Sequence, residues 1–313
     1  MLRLFTIFFS TLALSACSVF STNPTNTTVG NFYDYQLYSP TKQPISLQAL
    51  PREILDADVI LIGEWHTHSA IHRFQTELLE QLAQQKDVAL SMEQFSRDKQ
   101  ATVDSYLAGE IGEQTLIKSG KAWPNYESDY RPLVELAKQY KLDIIAANAP
   151  KPIVRCIGRQ GISYLDKLDS QQRALLAKEI DTSTSPYKDK FMASMHHGKP
   201  EQTEKQFAAQ ITWDETMAES ITRYLDANPS TQVLHIAGKF HTEQGLGTKA
   251  SILKRSPNLS VVVISPYSDL TEENNSQDYM LKVLAPPTRY VKMENRMAAY
   301  QHLASRNNTL ECK

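Results

Sequence analysis

The sequence lacks an excess of charge of either sign, since 33 Lys and Arg residues stand against 35 Asp and Glu residues among 313. Proteins that bind nucleic acid through its phosphates need a basic surface, so this balance argues against a nucleic-acid partner. Internal repeats and low-complexity tracts are also missing from the body of the chain. The 41% hydrophobic and 22% charged residues are typical of a globular protein, and the length allows one large domain with a smaller lobe.

A glycine-rich loop of the kind that binds phosphate is also missing. The short sequence Gly245-Leu246-Gly247 lacks the third glycine of the dinucleotide-binding fingerprint. The sequence therefore gives no sign of a nucleotide cofactor.

The chain has no apolar run long enough to span a membrane as a mature helix; the run from Leu4 to Leu14 is too short. That run ends in Leu14-Ser15-Ala16-Cys17, which resembles the lipobox of a bacterial lipoprotein signal peptide. We therefore expect residues 1–16 to be removed, Cys17 to carry palmitate and other lipid, and residues 17–30 to form a flexible tether. The alternative is an ordinary secretory signal with a chance cysteine. Ser18 in place of Asp implies the outer membrane, with the protein facing the periplasm.

Besides Cys17, the sequence has only Cys156 and Cys312. In an oxidising compartment such a pair can form a disulfide, or the two can remain separate thiols. We expect the disulfide, which would tie the C-terminal end to the body of the protein.

Continuous apolar runs predict parallel strands that are buried on both faces. They lie at residues 59–62, 88–92, 142–147, 233–237 and 261–264, and residues 279–284 fit a late edge strand. Helical spacing of apolar residues predicts helices at about 69–84 and 133–140. The sequence thus predicts an α/β domain over residues 31–313, with a mostly parallel sheet flanked by helices. Residues 151–230 lack a strand pattern and predict a smaller inserted all-helical lobe.

Polar residues follow these strands where each strand ends. The sequences are Gly63-Glu64-Trp65-His66, Met92-Glu93-Gln94, Ala147-Asn148 and Gly238-Lys239-Phe240-His241. Because ligands bind beyond the carboxyl ends of parallel strands, we expect Glu64, His66, Glu93 and His241 to share one edge of the sheet. Carboxylate and imidazole together suit a divalent metal, or they serve hydrolysis with Glu64 as the candidate base. Chance solvation of each strand end is the alternative.

The predicted lobe contains a second cluster in the sequence "SPYKDKFMASMHHGKP", residues 185–200. On a helix, Phe191, Met192 and Met195 form an apolar patch, which more often packs against the protein than binds a ligand. The same patch would also suit a flat aromatic ligand.

Several motifs resemble those of the ChaN family, iron-regulated haem-binding lipoproteins related to Tiki proteases and erythromycin esterases. The sequence "LIGEWHTHSAIHRFQ" is similar to the family's Gly-Glu-x-His…His-Arg-x-Gln signature. Further similar stretches are "VALSMEQFSRDKQ", "YRPLVELAKQYKLDIIAANAP", "FAAQITWDETMAESI" and "IAGKFHTEQGLG". Lys239-Phe240 departs from the small polar pair expected in the last of these.

The resemblance implies a lipid-anchored protein that binds haem in iron acquisition, forms a homodimer around it, and works with an outer-membrane receptor. It also implies a tyrosine ligand to the iron, with histidine and lysine on the propionates. We expect these among Tyr187, His196, His197 and Lys199, with Tyr130 as the alternative ligand. Because the sequence has no Cys-x-x-Cys-His, the haem would be non-covalent. The Tiki relatives imply instead a metal-dependent hydrolase with His66, Glu93, His241 and Glu64 at the metal.

Overall fold

The computed structural model describes residues 28–195, 199–271, 277–305 and 311–312. The predicted signal peptide, the lipidation site Cys17, and the two candidate haem residues His196 and His197 lie outside the described residues.

The described residues form a sheet of eight strands in the order β2-β1-β8-β7-β3-β6-β4-β5. The strands are β1 (Gln36–Tyr38), β2 (Pro44–Ile45), β3 (Val59–Glu64), β4 (Val88–Ser96), β5 (Ile144–Asn148), β6 (Gln232–Gly238), β7 (Val261–Tyr267) and β8 (Tyr279–Lys282). From β8 to β5 all neighbours are parallel, whereas β1 is antiparallel to both β2 and β8. The predicted α/β class with a mostly parallel sheet is confirmed.

The α-helices are α1 (Arg52–Leu55), α2 (Ser69–Ala83), α3 (Gln100–Leu107), α4 (Glu113–Ser119), α5 (Arg131–Tyr140), α6 (Lys151–Gln160), α7 (Ser170–Ala174), α8 (Pro186–Ser194), α9 (Pro200–Ala227), α10 (Lys239–Thr242), α11 (Thr248–Arg255) and α12 (Met293–Ser305). Short 3-10 helices cover Leu47–Ala49, Arg97–Lys99, Ile162–Lys167 and Glu243–Gly245, and one π-helical turn covers Tyr126–Tyr130. Pro132 lies in the first turn of α5, where its fixed φ and missing N–H cost nothing. Across the described residues, no helix combines the length and apolar character that a membrane crossing requires.

Each face of the sheet is covered by helices, which explains why its central strands are apolar on both sides. Helices α2, α3, α4 and α5 pack on one face, where Phe74 and Leu78 of α2 are fully buried. On the other face, Met217 and Ile221 of α9 and Ile252 of α11 pack against β3, β6 and β7. The core therefore has two layers, one on either side of the sheet.

The segment between β5 and β6 contains the helices α6 to α9 and, in its described part, no strand. It has small apolar clusters of its own, one around Ile153, Ile157 and Tyr164 and another around Tyr187 and Phe207. The long helix α9 begins in this lobe, and its second half packs onto the sheet. The lobe and the sheet are therefore joined by one continuous helix.

Two features of the sheet differ from the sequence-based expectation. Residues 279–282 form β8, but it lies between β7 and β1, so it is an interior strand and not an edge strand. The neighbours β1 and β2 are only three and two residues long. Such short strands have no apolar period of their own, so the sequence pattern does not reveal them.

Cys156 of α6 and Cys312 form a disulfide. Cys156 is buried in the apolar cluster of the lobe. The bond therefore fixes the end of the chain, 156 positions further along, to that lobe.

Replacing Phe74 by alanine tests the packing of α2 on the sheet. The ring is fully buried, so its loss leaves a cavity, and we expect the free energy of unfolding to fall by about 3–5 kcal/mol. Urea unfolding followed by circular dichroism measures it. Glu80→Ala, at an exposed position of the same helix, should change it by no more than about 0.5 kcal/mol. Equal effects of the two substitutions would contradict the packing described here.

Candidate functional site

The carboxyl ends of the parallel strands bring the four predicted rim residues to one edge of the sheet. Glu64 is the last residue of β3, Glu93 lies near the end of β4, and His241 lies on α10 directly after β6. The register pairs Glu64 with Gly238, the last residue of β6. His66 follows β3 by two residues and hydrogen-bonds to Glu64. The expected convergence of these residues is thus present in the structure.

Glu64 is a buried carboxylate that accepts hydrogen bonds from several elements at once. Its Oε1 accepts from Tyr130 Oη at 2.6 Å, His66 Nδ1 at 2.8 Å and Gln94 Nε2 at 3.1 Å, and its Oε2 accepts from Gln75 Nε2 at 2.8 Å. A buried charge is costly unless it is hydrogen-bonded, and these donors supply that compensation. They come from the π-helical turn, the loop after β3, β4 and α2.

The pKa values of this pair shift in opposite directions. Burial alone would raise the pKa of Glu64, but the hydrogen bond from His66 and the charge of His72 outweigh it and hold the pKa below its usual value. Burial alone would lower the pKa of His66, but the hydrogen bond to Glu64 and the charge of Glu93 raise it. The carboxylate is therefore ionised at neutral pH. It also fixes the tautomer of His66 with the proton on Nδ1.

A second chain of polar groups runs from the rim into the lobe. His241 Nδ1 lies 3.1 Å from Asp214 Oδ1, and His241 Nε2 lies 3.8 Å from Glu93 Oε1. Asp214 of α9 is fully buried and also accepts from Tyr187 Oη at 2.8 Å and Thr248 Oγ1 at 2.8 Å. Burial lowers the pKa of His241, but the charges of Asp214 and Glu93 outweigh this and raise it to about 9. His241 is therefore a cation at neutral pH, held between two carboxylates.

Gly238 is the point at which the two networks meet. Its N–H donates to Glu93 Oε2 at 2.7 Å, and an added Cβ would lie 2.9 Å from His66 Cε1 and 3.0 Å from His66 Nε2. A side chain would therefore displace the imidazole, so the close approach of His66 to the end of β6 requires glycine.

The donor set does not fit the divalent metal that the sequence suggested. The oxygens of Glu64 already accept from four side chains, and His241 is enclosed between Asp214 and Glu93. Within the described part of the chain, no group of three or more His, Cys, Asp or Glu side chains is arranged to hold a metal ion. The expected metal site is therefore not supported.

The two candidate haem tyrosines are both buried and bonded to carboxylates. Tyr187 of α8 donates to Asp214, and Tyr130 donates to Glu64. Burial, reinforced in each case by the neighbouring carboxylate, raises the pKa of both hydroxyls. To bind iron, either oxygen would have to give up its carboxylate partner and its proton. Phe191, Met192 and Met195 pack around Tyr187, and Lys199 is exposed at the start of α9.

Some residues of the site do not follow a strand, so the positions of the strand ends do not predict them. Asp214 and Gln210 lie one turn apart on α9, and Gln75 lies on α2, so none of them follows a strand. Spacing gives no signal for Gln210 and Asp214, because polar residues occur along the whole length of α9. Asn148 does follow a strand, but its amide donates to the backbone of Glu93 and thereby joins the ends of β4 and β5.

A cavity of about 560 Å³ opens at this edge of the sheet. Gly238 and His66, which has 44% of its side chain exposed, line this cavity. Aromatic rings, prolines and two cationic side chains also line it. The rings are those of Phe32, Trp65 and Phe240, the prolines are Pro286 and Pro287, and the cations are Lys239 and Arg289. His68 Nε2 donates to the carbonyl of Leu284 at 3.0 Å, which fixes the chain that leads to the two prolines.

Because the pKa of His241 is raised, the free energy of unfolding should depend on pH. Since the folded-state pKa is about 9 and the ordinary value 6.5, the proton stabilises the folded protein below pH 6.5, and this stabilisation is lost as the pH rises through 9. The rise corresponds to about 3 kcal/mol. We expect the difference in unfolding free energy between the wild type and His241→Gln to shrink by that amount between pH 6.5 and 9.5. Urea titrations at the two pH values measure it, and a constant difference would refute the charged state assigned to His241.

No protein among the curated sequences matches this chain significantly. The solved structure of ChaN of Campylobacter jejuni, described as showing cofacial heme binding, has a TM-score of 0.63 and 20% identity, covering 80% of this chain and 98% of that one. An erythromycin esterase mutant in its open conformation has a TM-score of 0.43 and 12% identity, covering 85% of this chain and 87% of that one. At these identities the likeness to ChaN of Campylobacter jejuni shows a shared fold.

The family model described as haem-binding uptake, Tiki superfamily, ChaN matches residues 50–252. This range contains β3 to β6, the four rim residues and the helical lobe. It is well over half of the 313 residues, and it confirms the resemblance found in the motifs. The chain therefore belongs to the ChaN family of haem-binding proteins in the Tiki superfamily.

Proposed function

We propose that this protein binds haem non-covalently in the cavity at the carboxyl edge of the sheet, as a lipid-anchored component of bacterial iron acquisition. The observation that carries the proposal is the cavity itself, at about 560 Å³, in a protein of a haem-binding family. Haem is a flat apolar ring with two carboxylates, and the cavity walls offer chemistry for both parts.

The apolar wall residues suit the porphyrin ring. The rings of Phe32, Trp65 and Phe240 line the cavity together with Pro286 and Pro287. Ligand cavities of this size are usually apolar, with a few polar groups that fix the orientation. Arg289 is exposed at the mouth and suits a propionate. Lys239 is a weaker candidate, since its ammonium already donates to the carbonyl of Pro266 and lies 3.5 Å from Glu243.

His66 is the side chain that we assign to the haem iron. Its Nδ1 donates to Glu64, so Nε2 is the nitrogen left for a ligand. A carboxylate behind the imidazole fixes the ring and makes the other nitrogen a better ligand, as in many metal sites. Tyr187 and Tyr130, the ligands implied by the family resemblance, keep their hydroxyls on Asp214 and Glu64 instead.

A hemin titration followed in the Soret region tests both the ligand and its position. We expect saturable binding by the wild type. His66→Ala should bind hemin at least about tenfold more weakly and shift the Soret maximum. Arg289→Ala should bind about fivefold more weakly and leave the maximum unchanged. Arg52→Ala, an exposed arginine on α1, is the matched control and should bind like the wild type.

The outcomes separate the possible ligands. Absence of saturable binding by the wild type would refute the proposed function. A normal spectrum for His66→Ala, with a changed one for Tyr130→Phe and Tyr187→Phe combined, would keep haem binding but move the ligand to a tyrosine. Analytical ultracentrifugation with and without hemin tests the accompanying homodimer.

Hydrolysis at the same edge is a second candidate, favoured by the hydrogen bond between Glu64 and His66. A carboxylate that orients an imidazole is the usual arrangement of a general base, and it needs no metal ion. Ester hydrolysis that persists in EDTA, disappears in His66→Ala and is inhibited by hemin would support it.

The lipid anchor and the outer-membrane location rest on the sequence Leu14-Ser15-Ala16-Cys17 and on Ser18. Growth of the producing bacteria with radioactive palmitate should label the wild type, and Cys17→Ser should remove the label. Membrane fractionation of the same cells checks the location. A labelled Cys17→Ser protein would place the lipid elsewhere, and an unlabelled wild type would refute the anchor.

A further inference from the structure

The large exposed apolar side chains of the described residues lie in two short stretches of the chain. They are Phe32 and Tyr33 near the first described residue, and Tyr290, Val291, Met293, Met297 and Tyr300 near the last helix. Exposed apolar side chains are usually scattered singly, whereas a contiguous group marks an interaction surface. We call residues 285–302 the C-terminal arm.

The arm is held at both ends, but no described residue covers it. Before it, β8 pairs with β7 and β1; after it, Cys312 is bonded to Cys156. Between these points every side chain of the arm is exposed except Ala299, which is half-buried; Val291 is 92% exposed and Met293 65%. The arm therefore lies in the chain between two points that are attached to the rest of the protein.

The arm carries positive charge beside its apolar side chains. Arg289, Lys292 and Arg296 stand against a single acidic residue, Glu294, which lies 3.7 Å from Lys292. Met293, Met297 and Tyr300 recur at intervals of four and three along α12, so they share one face of the helix. Arg296 is next to this face and donates to Tyr300 Oη at 3.3 Å. Of the three cations only Arg296 belongs to α12, whereas Arg289 and Lys292 precede it. Apolar side chains beside cations suit the boundary between anionic lipid headgroups and acyl chains.

The N-terminal stretch points to the same side of the molecule. Phe32 lines the rim cavity together with Pro286, Pro287 and Arg289, so the first described residues and the arm are neighbours. With the proposed lipid on Cys17, ten residues separate the anchor from Thr28, and ten residues can span at most about 35 Å. A bilayer that holds the anchor is thus within reach of the arm.

We propose that the C-terminal arm docks on an anionic membrane surface. Arg289, Lys292 and Arg296 bind the lipid phosphates, while Val291, Met293 and Met297 enter the boundary between headgroups and acyl chains. The inference uses the proposed lipid anchor only for proximity, because the arm's own affinity comes from its charges and its apolar face.

Hydrogen–deuterium exchange of the full chain tests the arm directly. The Cys17→Ala protein, which cannot carry the proposed lipid, is incubated alone, with phosphatidylcholine vesicles, and with vesicles that also contain phosphatidylglycerol. We expect slower exchange of the amides of residues 289–302 only with the anionic vesicles. Since the measurement is local, any binding through residues 1–27 does not imitate this result.

A charge-matched pair of variants measures the contribution of the cations. Each Lys or Arg near an anionic surface contributes about fivefold in affinity, so Arg289→Gln, Lys292→Gln and Arg296→Gln combined should weaken vesicle binding by about 100-fold. The control combines Arg52→Gln, Lys118→Gln and Lys141→Gln, which remove the same charge from exposed positions elsewhere. It should bind like the Cys17→Ala parent.

Three results would overturn the proposal. Unchanged exchange with anionic vesicles, or equal protection by neutral ones, removes the charge-based docking. Protection that rises with protein concentration in the absence of lipid identifies the partner as a second copy. Protection of residues 290–302 by hemin without vesicles assigns that part of the arm to haem binding. Failure of the palmitate labelling would leave all these results unaffected, since the tested protein lacks Cys17.

Discussion

A single carboxylate, that of Glu64, organises the site and the elements around it. Its charge is buried at the end of β3, and four side chains from four different elements donate to it. Each donor would otherwise be a polar group with few partners in an apolar setting, and the carboxylate would be an uncompensated charge. The position of His66, which any ligand in the cavity meets, follows from this arrangement.

The sequence predicts the central sheet because the parallel strands are covered on both faces. Continuous apolar runs such as residues 59–62 and 233–237 are what two-sided burial requires, and these strands occur where they were expected. The apolar run at residues 88–92 predicts an end of β4 that is too early. It continues through Glu93 to Ser96 because the polar side chains there are hydrogen-bonded within the site. The place of β8 depends on pairing with β1, a partner too short to be recognised by its pattern.

The sequence predicts the site residues that lie at strand ends, because the sheet topology places them. It does not predict the burial of the site residues that lie on helices. Parallel strands end at one edge of the sheet, and this predicts that Glu64, His66, Glu93 and His241 lie together there. Tyr187 and Tyr130 were expected as haem ligands because they are tyrosines. The residue type does not show that each hydroxyl is enclosed beside a carboxylate. Asp214 was missed for a related reason, since a buried acid in the middle of a long helix has no signature in spacing. Asp214 nevertheless matters to the site, because its carboxylate and that of Glu93 keep the imidazole of His241 charged.

The disulfide between Cys156 and Cys312 closes a covalent ring that contains the lobe, the last helix and three strands of the sheet. A peptide bond cut by a protease anywhere inside this ring opens it without dividing the molecule. The two pieces stay joined through sulfur, with β3, β4 and β5 on one and the end of the chain on the other. A nicked copy therefore keeps both halves of its sheet covalently linked for as long as the disulfide remains oxidised.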